Sequence, residues 1–151
     1  MSELKDRLRS DLTTAIRGRD ELSTATLRMA LAAITTEEVA GSDARELSDD
    51  EVLTVLARES KKRREAAEAF GSAGREELAD RERAEGTVLE RYLPTQLDEA
   101  AVSELVAAAI AETGASGMPQ MGAVMRVAQQ KAAGRADGKR LSTEVRRQLS
   151  G

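Results

Sequence analysis

The sequence contains no cysteine and no histidine. Together these absences exclude the common zinc sites, thiol nucleophiles, disulfides and imidazole general bases. A chain without cysteine also fits a reducing compartment. Aromatic residues are nearly missing: Phe70 and Tyr92 are the only two. Long apolar runs are missing as well, since no window approaches the roughly 18 consecutive apolar residues that span a bilayer. The start, Met1-Ser2-Glu3-Leu4-Lys5, has no apolar stretch, and Ser2 stands where myristoylation requires glycine. The expectation is a cytoplasmic protein without membrane contact.

What is present favours helix. A third of the 151 residues are charged, and the commonest residues of the chain are Ala, Leu, Glu and Arg. Leu4, Leu8, Leu12 and Ile16 recur every four residues and predict a first helix ending near Gly18. A second begins near Asp20, is apolar on nearly all sides from Ala25 to Ile34, and ends at Gly41; it is expected to be the most buried. Ser48-Asp49-Asp50-Glu51 has capping-box spacing and opens a third helix that stops at Gly71-Ser72-Ala73-Gly74. A fourth covers about Arg75 to Leu93, and Pro94 ends it. Three shorter helices follow: one from Asp98 through Val102, Val106 and Ile110, one after Gly114–Gly117 with Met118, Met121, Val124 and Met125, and one from Asp137 with Leu141, Val145 and Leu149. The fold class predicted is all-α, with a four-helix N-terminal domain (1–94) and a small three-helix C-terminal domain (95–151) hinged at Thr95-Gln96-Leu97.

Charge is unevenly distributed in a chain of net charge −4. Residues 118–151 hold seven basic and two acidic side chains, a local balance of +5, whereas residues 1–117 balance at −9. Within the basic stretch, Gly134-Arg135-Ala136-Asp137-Gly138-Lys139-Arg140 superficially resembles a phosphate-binding loop. The glycines are one residue too close, Arg140 replaces the Ser or Thr that would hold magnesium, and no strand precedes it. Asp137 reads instead as a helix N-cap. That places Lys139 and Arg140 in a first turn, where the macrodipole disfavours cations, and broken local rules often mark functional sites. Helical phasing sets Lys139, Arg140, Arg146 and Arg147 away from the Leu141/Val145/Leu149 stripe, with Lys131 and Arg135 leading in. Together with the Gly134 and Gly138 amides they form a candidate phosphate-contacting surface; a plain solvated helix face is the competing reading.

Other clusters carry less. Lys61-Lys62-Arg63-Arg64 points all round a helix, and its i,i+4 partners (Glu59 with Arg63, Lys61 with Glu65, Arg64 with Glu68) suit a solvated, self-paired face. Helix-start electrostatics accounts for Asp49, Asp50 and Glu51 without a metal. The methionines of the sixth helix read as core filler. No motif supplies a catalytic residue, and no cofactor or metal is called for.

An ordered set of segments resembles one family. It comprises Leu27-Arg28-Met29 with Ala33-Ile34, Ser48-Asp49-Asp50-Glu51-Val52, and Ala69-Phe70 through Gly74-Arg75. It continues with Tyr92-Leu93-Pro94-Thr95-Gln96-Leu97, Met121-Gly122-Ala123-Val124-Met125 and Gly134-Arg135-Ala136-Asp137-Gly138-Lys139. In order and spacing this is similar to the GatB/YqeY family, specifically its stand-alone YqeY-like members, from about residue 3 to 149. The resemblance implies a C-terminal domain similar to the tail of the GatB component of the tRNA-dependent amidotransferase, which helps to grip tRNA. The large catalytic part of that component has no counterpart here, so the family's carbon–nitrogen ligase label does not imply activity of this chain. Ala123 sits where many relatives have Lys, and Gly117 and Pro119 stand where a Ser or Thr cap followed by Lys is commoner. Three functions follow as expectations: a non-catalytic accessory protein binding tRNA or another structured RNA, a module docking on an amidotransferase or aminoacyl-tRNA synthetase without RNA, or an amide- or aminoacyl-transferring enzyme.

Overall fold

The protein is described from a computed structural model covering residues 2–151. Within that span there are seven α-helices, one 3-10 turn and no strand. They are α1 (Glu3–Arg17), α2 (Glu21–Glu38), α3 (Asp49–Ser72), α4 (Glu76–Glu90), α5 (Glu99–Thr113), α6 (Met121–Ala132) and α7 (Gly138–Ser150). The 3-10 turn, Met118–Gln120, precedes α6. Contacts cluster into two units, α1–α4 up to Leu93 and α5–α7 from Pro94.

In the first unit Leu8, Leu27, Ile34, Leu56 and Leu89 are fully buried around one core. Leu4 and Leu12 join its margin as their spacing predicts, whereas Ile16, one turn further on, is 47 % exposed. α2 buries the largest share of its residues, with Leu27, Ala30 and Ile34 on one side; Ala25, Arg28 and Ala32 still face outward. It ends at Glu38 rather than Gly41, because the Glu38 carbonyl accepts the Arg45 N–H and the chain turns there. The capping box at Ser48 forms with both reciprocal hydrogen bonds. α3 and α4 pair as an antiparallel hairpin, and Arg63 crosses it. Its guanidinium reaches Glu82 on α4 at 3.4 Å, so the expected pairing with Glu59 on its own helix does not form.

Helix ends show where local chemistry is satisfied. After α3, Gly74 takes φ +75°, and Arg75 N–H bonds Phe70 O while Gly74 N–H bonds Gly71 O. This is a Schellman motif with glycine at its left-handed position. α1 closes with the same bond pattern, Asp20 N–H to Ala15 O and Arg19 N–H to Ile16 O, but the left-handed residue is Arg19 at φ 56°. Gly18 stands one position too early, at φ −80°. A side chain in this region costs roughly 1–2 kcal/mol, and Arg19 is exposed. Arg19→Gly is therefore expected to stabilise the first unit by about 1 kcal/mol, the added unfolded-state freedom of glycine offsetting part of the relief. A melting temperature unchanged or lowered in that variant contradicts this account.

Candidate nucleic-acid interface

α7 exists as a helix because Asp137 caps it and Leu141 and Val145 bury one face. The Asp137 carboxylate accepts the Arg140 N–H at 2.8 Å, and Leu141 and Val145 are 1 % and 0 % exposed. Before it, α6 ends in two consecutive left-handed residues, Ala133 at φ 48° and Gly134 at φ 79°. The reversed chain then drops Ala136 into the core. This turn is laced to the first residues of its own unit. Leu97 N–H donates to Arg135 O at 2.8 Å, and the Gln96 amide nitrogen donates to Gly134 O at 3.3 Å. Arg135 Nε donates to Thr95 O at 3.0 Å and Arg140 Nη2 to Leu97 O at 2.7 Å. Two of the six candidate cations thus clamp segment 95–97, a role that no spacing rule predicts for them.

The others divide further. Lys131 on α6 is paired with Glu112 on α5 at 2.9 Å. Arg147 grips Glu144 through Nε at 2.7 Å, and Arg147 and Gln148 together hold the Glu144 carboxyl below the usual carboxylate range. Lys139 and Arg146 are exposed, and neither has an ion-pair partner among the described residues. Lys139, Arg140 and Arg147 come together with Thr143 along a cleft of about 420 Å³, closed on its far side by Glu99 and Val102 of α5. Arg146 lies outside that lining, as do Lys131 and the turn residues Gly134 and Arg135. Gly138 N–H and Lys139 N–H precede the first intrahelical bond, Leu141 N–H to Asp137 O, but the Asp137 carboxylate already supplies an anion at this helix start.

The charge balance changes once α5 is counted. Residues 94–151 hold seven basic and six acidic side chains, a net +1, so the +5 of the terminal stretch is largely compensated from α5. Sequence reasoning passed over Arg126, which stands on the outer face of α6 opposite Val124 and Ala128 and is exposed and unpaired among the described residues. The signal was its phase against that buried pair. Ala123 is exposed on the same helix.

No helix among the described residues is long and apolar enough to cross a membrane. Compared with known sequences, no curated protein matches the chain. A family model described as "Yqey-like protein" matches residues 5–149, which takes in nearly all of both units. The ordered segments from Leu27 to Lys139 and this end-to-end match agree, and the chain belongs to the Yqey-like protein family.

Proposed function

We propose that this protein is a non-catalytic accessory that binds a structured RNA, with tRNA in a tRNA-dependent amidotransferase setting as the preferred ligand. The observation that carries the reading is the pair of exposed, uncompensated cations on α7, Lys139 and Arg146, flanked by Arg140 and Arg147 on the cleft side. They supply phosphate contacts. Both aromatic residues, Phe70 and Tyr92, lie before residue 94, so this unit offers no ring for base stacking, and recognition rests on backbone shape.

Because Arg140 and Arg147 already have internal partners, about two phosphates are contacted, and the logarithmic salt slope of tRNA affinity is expected near −2. Lys139→Glu combined with Arg146→Glu should remove most of that slope. Titration of labelled tRNA at two ionic strengths tests it; binding that ignores salt, or no binding at low salt, sinks the reading.

A second reading is supported by the first unit, whose 16 basic and 21 acidic side chains suit a basic protein partner such as an amidotransferase or synthetase. Co-purification before and after nuclease treatment separates the two, since a protein partner survives the nuclease.

A further inference from the structure

The cleft between α5 and α7 is unevenly charged. Three basic and two acidic side chains line its volume of about 420 Å³, a net +1, and that size falls within the roughly 300–1,000 Å³ of small-ligand sites. Arg147 and Glu144 cancel each other as an ion pair. Arg140 is held by a neutral group, the Leu97 carbonyl, and so keeps its full charge, while Lys139 has no partner among the described residues. Thr143 follows Lys139 by one turn on the same helix face. The exposed helical threonines Thr13, Thr35, Thr36, Thr54 and Thr87 each donate to the carbonyl four residues back. Thr143 does not: Lys139 O accepts from Ser142 Oγ, and the Thr143 hydroxyl has no partner among the described residues. An ammonium, a guanidinium and a free hydroxyl at i, i+1 and i+4 form a donor set for one phosphate group.

Glu99 faces this set from the far side. It lies in the first turn of α5, where the helix dipole favours a negative charge, and it too lacks a partner among the described residues. A carboxylate there repels a second phosphate but accepts hydrogen bonds from hydroxyls, and acidic side chains hold ribose hydroxyls in this way. Charge then selects the ligand. The net +1 is neutralised by the single charge of a phosphodiester, whereas a phosphomonoester, at about −1.5 to −2 near neutral pH, overshoots it. A diester on one side and free hydroxyls on the other describe the last nucleotide of an RNA chain. We infer that this cleft receives the 3′-terminal nucleotide of an RNA, its phosphate toward Lys139, Arg140 and Thr143 and its ribose cis-diol toward Glu99. The inference rests on the RNA reading and deepens it, adding a seat for the chain end to contacts that are indifferent to position along the chain.

The test uses the full chain, with amide chemical shifts followed on addition of the ribodinucleotide ApA and of its deoxy counterpart dApdA. Shifts at Val102, Arg140 and Thr143 are expected to saturate with ApA, and dApdA, which lacks the 2′-hydroxyls, should bind about threefold more weakly. Glu99→Ala should abolish that preference. Lys139→Gln should weaken both dinucleotides equally, by about tenfold, and Thr143→Val, which changes no charge, by about threefold. No saturable shift with ApA overturns the proposal, as does a preference for ApA that survives Glu99→Ala. Transfer RNA ending in 3′-deoxyadenosine separates this inference from the RNA reading. Weaker binding of that tRNA by the wild type, but not by Glu99→Ala, supports the terminal seat. Equal affinity for both tRNAs overturns the seat and leaves the RNA reading standing.

Discussion

Leu141→Ala is expected to lower the stability of the C-terminal unit by about 3 kcal/mol, and to do so more severely in consequence than any comparable change among α1–α4. The buried core of this unit consists of Val102, Val106, Ala109, Val124, Ala128, Ala132, Ala136, Leu141 and Val145. Leu141 is its one fully sized aliphatic side chain, at 1 % exposure, and every neighbour in that set is a valine or an alanine. The valines and alanines of that set cannot lean into the space a truncated leucine leaves, and the larger Leu105, Ile110, Met121, Met125 and Leu149 pack against the cluster from partly buried positions, so the cavity term adds to the lost transfer energy. A unit of this length buries a smaller fraction of its surface than a larger domain does and holds only a few kcal/mol in reserve. Amide hydrogen exchange reads the outcome: protection in α5, α6 and α7 should collapse toward that of an unfolded chain. Ile16→Ala, at a position already 47 % exposed, is the contrast and should change exchange little. Retained protection across α6 in Leu141→Ala would mean that the core rests on something other than this leucine.

The helices of this fold were legible because their signals are local. Capping by Ser48, Asp98 and Asp137 is a matter of three residues, and each of these side chains accepts the N–H three positions on. The stripe Leu141/Val145/Leu149 likewise needs only the helical period. Met118 was less legible. It belongs to the 3-10 turn, 41 % exposed, because the Gln120 side chain turns back to accept the Ser116 and Gly117 N–H groups and holds the chain short of α6. Partners set by packing were not legible at all. By helical spacing Arg63 faces Glu59, yet α4 presents Glu82 and Glu85 to it instead. Arg140 looked like a ligand-binding cation because its first-turn position offends the helix dipole; the offence is compensated by the Leu97 carbonyl, 43 residues away in sequence. The candidate surface therefore shrinks to the cations that packing leaves uncompensated. Lys139 and Arg146 were visible from phase, but their freedom from pairing was visible only once α5 brought Glu112 to Lys131 and Glu144 turned to Arg147.

The same blindness hid the most consequential ion pair in the first unit. Lys5 Nζ donates to both oxygens of Glu38, at 2.7 and 3.0 Å, and both side chains are only 11 % exposed. Glu38 Oε2 also accepts the N–H of Leu47, a residue 2 % exposed. One carboxylate thus ties the start of α1 to the end of α2 and to the loop before α3. Glu38→Ala strands a buried ammonium and a buried N–H together, and about 3–4 kcal/mol should be lost. Lys5→Met with Glu38→Leu removes both charges and should recover most of that loss, leaving the Leu47 N–H as the residual penalty of about 1 kcal/mol. The pair also sets an acid limb. Hydrogen bonding from Lys5 holds the Glu38 carboxyl below its ordinary value, against the opposing pull of desolvation. Its folded-state pKa being depressed, the stabilisation is complete above the ordinary carboxylate value, about 4.3, and is lost as pH falls through the lower folded value. Glu51 adds to the same limb, drawn down to about 2 chiefly by Arg45. In urea unfolding at pH 7, 5 and 3, the gap between wild type and Glu38→Gln should be widest at pH 7 and narrow on acidification, since only the wild type has that proton to take up. A gap that stays constant down to pH 3 would show that Glu38 remains ionised there or that its charge does not hold these three segments together.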